Sequence, residues 1–135
     1  MIVLDASIVM KWFVQENDSL LALKFREKLI HGVEEIVIPD ILIYEIVNAL
    51  RFKKGVPEQV ISSILPTLFN IGFEIIMPTE KLMREAFHLS LVTDLSIYDS
   101  TYLALANEFN VPLITADKRI HQQAEPFTKI HLLHS

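Results

Sequence analysis

The stretch Met1-Ile2-Val3-Leu4-Asp5-Ala6-Ser7 decides the fold. Three apolar, strand-forming residues run straight into a carboxylate, and apolar residues at helical spacing (Ile8, Val9, Trp12, Phe13) follow at once. A short apolar run without polar alternation reads as a strand buried on both faces, as in a parallel sheet. In open parallel sheets, ligands sit in the crevice beyond the carboxyl ends of the strands. Asp5 stands at that edge, and the rest of the chain is read for its partners.

The same unit repeats downstream. A helix is expected over residues 6–14, a polar turn over 15–19, and a second helix over 20–30 that His31-Gly32 closes. Ile36-Val37-Ile38, stopped by Pro39, is the second strand, and Asp40 is expected to cap a helix running to about Lys54 before Gly55. Pro57 stands where a proline opens a helix, and the pattern runs on towards Asn70. Pro66 lies inside it, so a kink or a break into two pieces is expected. A third strand over residues 73–77, a helix over 79–91 and a helix over 97–109 come next. Asn110-Val111-Pro112 ends that helix, Leu113-Ile114-Thr115 is a fourth strand ending at Ala116-Asp117, and a short helix and a fifth strand over 129–133 complete the chain. Strands alternating with helices predict a single domain over residues 1–135. Its expected form is a three-layer α/β/α sandwich around a mostly parallel five-stranded sheet.

Bulk composition narrows the function. The chain has 135 residues, 51% of them hydrophobic, which excludes a disordered segment. It has no cysteine, which removes disulfides, thiolate metal sites and a cysteine nucleophile, and is compatible with a reducing cytoplasm. The amino terminus carries no secretory pattern, and no apolar run approaches the roughly 18 residues of a membrane span. The net charge of −5 argues against binding nucleic acid through a simple basic patch. It leaves room for an acidic cluster that holds divalent cations, because the ions invert the local field.

Four acids stand out. Asp5 and Asp117 each follow an apolar strand and precede a helix, so both fall on one edge of a parallel sheet. Either would also serve as an N-cap, accepting hydrogen bonds from the free amides of a first helical turn. Asp99 completes a capping box with Ser96, yet it lies one turn from Leu103 on the border of an apolar arc. Glu45 is mid-helix and caps nothing. Its neighbours Ile41, Ala49 and Phe52 are apolar, so it either bends out to solvent at a rim or needs a partner. Carboxylates gathered at one place repel one another and persist where cations neutralise them. Oxygen-only donors suit Mg²⁺, or Mn²⁺ as the alternative, and such ions activate water for in-line phosphoryl displacement.

With these residues in view, the chain resembles the PIN-domain ribonucleases, in particular the toxin subunit of VapBC toxin–antitoxin pairs. The resemblance is carried by four pieces in order: Ile2-Val-Leu-Asp-Ala-Ser-Ile-Val-Met-Lys-Trp-Phe13; Pro39-Asp-Ile-Leu-Ile-Tyr-Glu45 with Asn48-Ala49-Leu50; Leu95-Ser-Ile-Tyr-Asp-Ser-Thr-Tyr-Leu-Ala-Leu-Ala106; and Pro112-Leu-Ile-Thr-Ala-Asp-Lys118. It implies a PIN domain acting as a metal-dependent endoribonuclease, with Asp5, Glu45, Asp99 and Asp117 as metal-binding and catalytic acids. Ser7 and Thr115 fall where the family keeps small hydroxyl residues that support the acids. A homodimer, an RNA substrate and a silencing VapB-type antitoxin are further implications. Ser100 departs from the pattern, in which alanine is commoner after the third acid.

Among the cations, Lys118 and Arg119 directly follow Asp117 and are the preferred phosphate contacts over Lys11, Arg51, Lys53 and Lys54. Asp94 reads as a solvated loop acid ahead of the Ser96 cap. His131 and His134, three apart, are too few ligands for a zinc site. No phosphate loop or Gly-x-Ser-x-Gly elbow is present. Two other functions compete with the nuclease. One is a silent module whose acidic groove holds a basic peptide or protein. The other is a phosphotransfer receiver, disfavoured because the only acid after the second strand is Asp40, read as a cap.

Overall fold

β1 (Ile2–Leu4) lies at the centre of a five-stranded parallel sheet with strand order β3-β2-β1-β4-β5. The computed structural model describes residues 1–133; the His131/His134 pair therefore lies partly outside the described residues. The other strands are β2 (Ile36–Pro39), β3 (Glu74–Ile76), β4 (Leu113–Thr115) and β5 (Ile130–Leu132). Between them run α1 (Ala6–Phe13), α2 (Ser19–Ile30), α3 (Ile41–Phe52), α4 (Glu58–Asn70), α5 (Glu80–Thr93), α6 (Ile97–Phe109) and α7 (Lys118–Ala124). The expected α/β/α sandwich is observed, with every strand pair parallel.

The elements form where local chemistry and burial agree. All of β1 is buried, and its neighbours β2 and β4 are buried throughout as well. A side chain such as Leu4, Ile8 or Leu113, fully removed from water, contributes about 1.5–3 kcal/mol. From Ser100 to Ala106, α6 is buried without a break, because α5 covers one side of it and β1, β2 and β4 the other. A helix apolar all round is what such a position requires. In the same helix, Ser100 is fully buried and its Oγ has no hydrogen-bond partner among the described residues, so this hydroxyl is a local cost. On the other group of helices, Trp12 of α1 donates from Nε1 to the Ala22 carbonyl of α2 at 2.8 Å and stacks on Phe73 with ring centroids 5.6 Å apart.

Two local expectations are corrected. Asp40 does not cap α3: its backbone is already helical (φ −60°, ψ −24°), which turns the carboxylate away from the first-turn amides. Pro66 does not divide its helix, and α4 runs on through it from Glu58 to Asn70. The apolar ridge around Glu45 is also not core, since Ala49 and Phe52 are exposed and Ile41 is half-buried.

The chain order places a reversal at the centre of the sheet. From β1 the chain steps outward through β2 to β3, then returns to β4 on the opposite side of β1. The carboxyl ends of β1 and β4 therefore flank a topological switch point, the place where open parallel sheets bind ligands.

Candidate active site

Asp5 leaves the end of β1 with an extended backbone (φ −92°, ψ 175°) and is 4% exposed. Its Oδ1 accepts from the Ser7 amide at 3.0 Å and from Ser7 Oγ at 2.5 Å, while Oδ2 accepts from Thr115 Oγ1 at 2.5 Å. The N-cap role is therefore real, and it does not exhaust the residue. Burial, the largest influence, raises the Asp5 pKa to about 6 against the opposing effect of these donors. Even with this many donors the carboxyl remains hard to ionise, because burial strips its charged form of water.

The hydroxyls join two distant segments. Ser7 Oγ accepts from the Ala116 amide at 2.9 Å, and Thr115 Oγ1 accepts from the Asp117 amide at 3.0 Å. The β1–α1 turn is thus tied to the β4–α7 turn across the switch point. Asp117 caps α7, its Oδ1 accepting from the Arg119 amide at 2.9 Å and the Ile120 amide at 3.2 Å. Its side chain is exposed.

Glu45 and Asp99 approach the same edge from α3 and α6, and both are half-buried. Burial is the main reason the Glu45 carboxyl is pushed above its usual range, and the Asp99 charge adds to it. Asp99 is raised first by burial and further by the charge of Asp117, with Arg119 opposing. Glu45 therefore feels Asp99, and Asp99 feels Asp117. Tyr102 was not singled out from the sequence. It is 2% exposed and donates from its hydroxyl to Glu45 Oε1 at 2.5 Å. Burial, then the Glu45 charge, raise its pKa far above the ordinary phenol value, so it acts as a fixed neutral donor. The available signal was spacing: Tyr102 stands three residues after Asp99, on the same helical face.

The remaining predicted residues divide. Arg119 reaches back to the Asp94 carbonyl at 3.3 Å and lies near enough to influence Asp99. Lys118 is exposed. Asp94 ends α5 in the left-handed conformation (φ 61°), a cap rather than part of the acidic cluster. A cavity of about 460 Å³ opens beside the switch point, with Ser7, Glu45 and Asp117 in its wall alongside Lys11 and Glu16. A larger depression of about 870 Å³ lies between α5 and α6, but both of its cations pair locally, Lys81 with Glu108 and Arg84 with Glu80, and none of the perturbed acids lines it.

The donor chemistry fits a hard divalent cation. The acids offer only oxygens, none of the four is in a salt bridge among the described residues, and burial disfavours the charged form of three of them. The shell is nevertheless open. Among the described residues, no three Asp, Glu, His or Cys side chains gather closely enough to enclose one ion. The hydrogen bonds on Asp5 and Asp117 direct their oxygens to protein donors.

Known proteins resemble the chain in sequence and in fold. The family model for the PIN domain matches residues 2–126. Ribonuclease VapC3 of Pyrobaculum aerophilum is 26% identical over 126 residues, which span 90% of this chain and 93% of the relative. Among solved structures, FitAcB from Neisseria gonorrhoeae superposes with a TM-score of 0.73 at 13% identity, covering 96% of both chains. VapBC2 from Rickettsia felis, bound to a promoter DNA fragment, gives 0.71 at 18% identity, over 99% of this chain and 100% of the other. VapC20 from Mycobacterium tuberculosis, a toxin that cleaves the sarcin-ricin loop, gives 0.69 at 12% identity, over 90% and 94%. At these identities the structural likeness is one of fold.

Proposed function

The chain belongs to the PIN domain family, and from that premise we propose that it is a divalent-metal-dependent endoribonuclease, the toxin of a type II toxin–antitoxin pair. The observation that carries the reading is Asp5, a buried carboxyl at the switch point, raised in pKa by burial and in no salt bridge among the described residues. Mg²⁺ is the proposed ion and Mn²⁺ its alternative, held by Asp5, Glu45, Asp99 and Asp117. When bound, the ion supplies positive charge that acidifies water and stabilises charge on the phosphate oxygens.

The chain's own groups prepare the site. Ser7 and Thr115 fix the plane of the Asp5 carboxylate, each through a 2.5 Å hydrogen bond. Tyr102 occupies Oε1 of Glu45, which leaves Oε2 to orient an attacking water or to take its proton. Arg119 and Lys118 lie directly after Asp117 and are placed to meet RNA phosphates approaching that side. The similarity to VapC3 supports RNA as substrate, and the solved VapBC2 assembly supports a cognate antitoxin as partner. A homodimer working on RNA in the cytoplasm completes the proposal; among the described residues, no helix is long and apolar enough to cross a membrane.

The test compares wild type with Asp5→Asn on a structured RNA in Mg²⁺ or Mn²⁺ and in EDTA. Metal-dependent cleavage that falls by at least about 100-fold in the variant is expected. Equal cleavage by both proteins, insensitive to EDTA, would overturn it. The open carboxylate shell favours one second reading, a silent groove that holds a basic peptide. Tight partner binding with no cleavage by the partner-free protein would select that reading.

A further inference from the structure

We propose that Lys11 is a substrate-binding residue that contacts a non-bridging phosphate oxygen of RNA in the acidic cavity, an inference that rests on the endoribonuclease reading. Lys11 lies four residues after Ser7, so α1 presents the two on one face while Ile8, Val9 and Trp12 enter the core. Its side chain is 10% exposed, and Nζ donates to the Asn17 carbonyl at 2.7 Å. The carboxylate of Glu16 stands 3.7 Å away, beyond hydrogen-bond range, and is 40% exposed. An ammonium has three donors. Among the described residues one of them is hydrogen-bonded, to a neutral carbonyl, while Glu16 forms only a long ion pair from a side chain that is itself partly in water.

Charge makes the position informative. Lys11 is the one cation among the residues lining the 460 Å³ cavity, where Glu45, Asp117 and Glu16 also stand. A polyanion entering such a space is repelled until positive charge receives it. Lys11 supplies that charge on a side chain already held in place, so little rotamer freedom is lost on binding. Lys118 is exposed, and Arg119 spends part of its guanidinium on the Asp94 carbonyl. Neither lines the cavity.

Two bland roles make opposite forecasts. As a brace for the α1–α2 turn, Lys11 would affect melting temperature but not the salt dependence of RNA binding. As a counter-charge for the acids, its loss would tighten Mn²⁺ binding and leave RNA affinity unchanged or improved. A phosphate contact instead weakens the substrate and makes its binding less sensitive to salt.

The experiment measures kcat and KM for an oligoribonucleotide across a salt series, together with Mn²⁺ affinity by calorimetric titration, for wild type, Lys11→Gln and Lys11→Arg. In Lys11→Gln, KM should rise about tenfold with kcat within about threefold. The slope of log KM against log salt should fall by about 0.7, one phosphate on a single strand. Lys11→Arg should restore the slope. Lys11→Met, which keeps the aliphatic stem, replaces the glutamine variant if that folds poorly. An unchanged slope in the charge-free variant of an active enzyme overturns this inference alone. Tighter Mn²⁺ with unchanged KM does the same, whereas wild type inert on RNA in Mg²⁺ and Mn²⁺ overturns the parent reading with it.

Discussion

Asp5 accepts hydrogen bonds from the Ser7 amide and from the hydroxyls of Ser7 and Thr115, yet its pKa lies near 6 in the fold against 3.8 for a free side chain. Below pH 3.8 both the folded and the unfolded chain carry the proton, and Asp5 costs nothing. Between 3.8 and about 6 the unfolded chain releases the proton while the fold keeps it, so stability falls as pH rises. Above that window the loss persists, on the order of 3 kcal/mol. Urea unfolding of wild type and Asp5→Asn from pH 4 to pH 7 should therefore show the difference moving by about that amount in favour of the variant. A difference independent of pH would contradict it. The raised pKa values of Glu45 and Asp99 tilt the wild-type profile in the same direction. At this scale the candidate acids were legible in the sequence, because a carboxylate at a strand end or on an apolar face is a local anomaly. Tyr102 was not, since its partner Glu45 lies 57 residues away in the chain.

Among the elements, α4 shows how packing overrides a local breaker. A proline inside a helix costs about 3 kcal/mol through the lost hydrogen bond and the ring clash. Ile64 and Leu68 flank Pro66 and are both buried, contributing about 1.5–3 kcal/mol each. Ser62, whose carbonyl loses its partner to the ring, is exposed and remains accessible to water. Packing wins and the helix continues. Pro66→Ala should then stabilise the fold by about 1–3 kcal/mol in a denaturant titration; an unchanged or lower midpoint would mean the proline costs nothing there. The other helix starts were readable where a side chain acts on its own first turn. Thr79 accepts from the Leu82 amide and Ser96 from the Asp99 amide, both at 3.0 Å. Asp40 has the right residue type but the wrong backbone, and sequence does not record the dihedral that decides it.

For the whole molecule, the four acids come from residue 5 to residue 117, and they share one edge only when the sheet is complete. A divalent ion bound there is linked to global unfolding, not to a local change. At about 100-fold excess over its dissociation constant it should add about 2.7 kcal/mol, a rise of roughly 5–10 °C in melting temperature for a domain of this size. Protons compete for the same oxygens, so the rise should be full at pH 8 and largely lost at pH 5, below the pKa of Asp5 at about 6. Thermal unfolding with and without Mn²⁺ at the two pH values checks it; an equal shift at both, or none at either, would sink the metal site.

The alternation of strands and helices, the caps at Asp5, Ser96 and Asp117, and the choice of the four candidate acids were legible in the sequence alone. Those features depend on hydrophobic period and on side chains acting within one helical turn. The strand order that sets β1 beside β4, the Tyr102–Glu45 hydrogen bond, the place of Lys11 in the cavity wall and the burial that raises Asp5 were decided only by the tertiary structure. Contacts between residues far apart in the chain, and the desolvation that accompanies them, arise when the layers pack, and no local pattern encodes them.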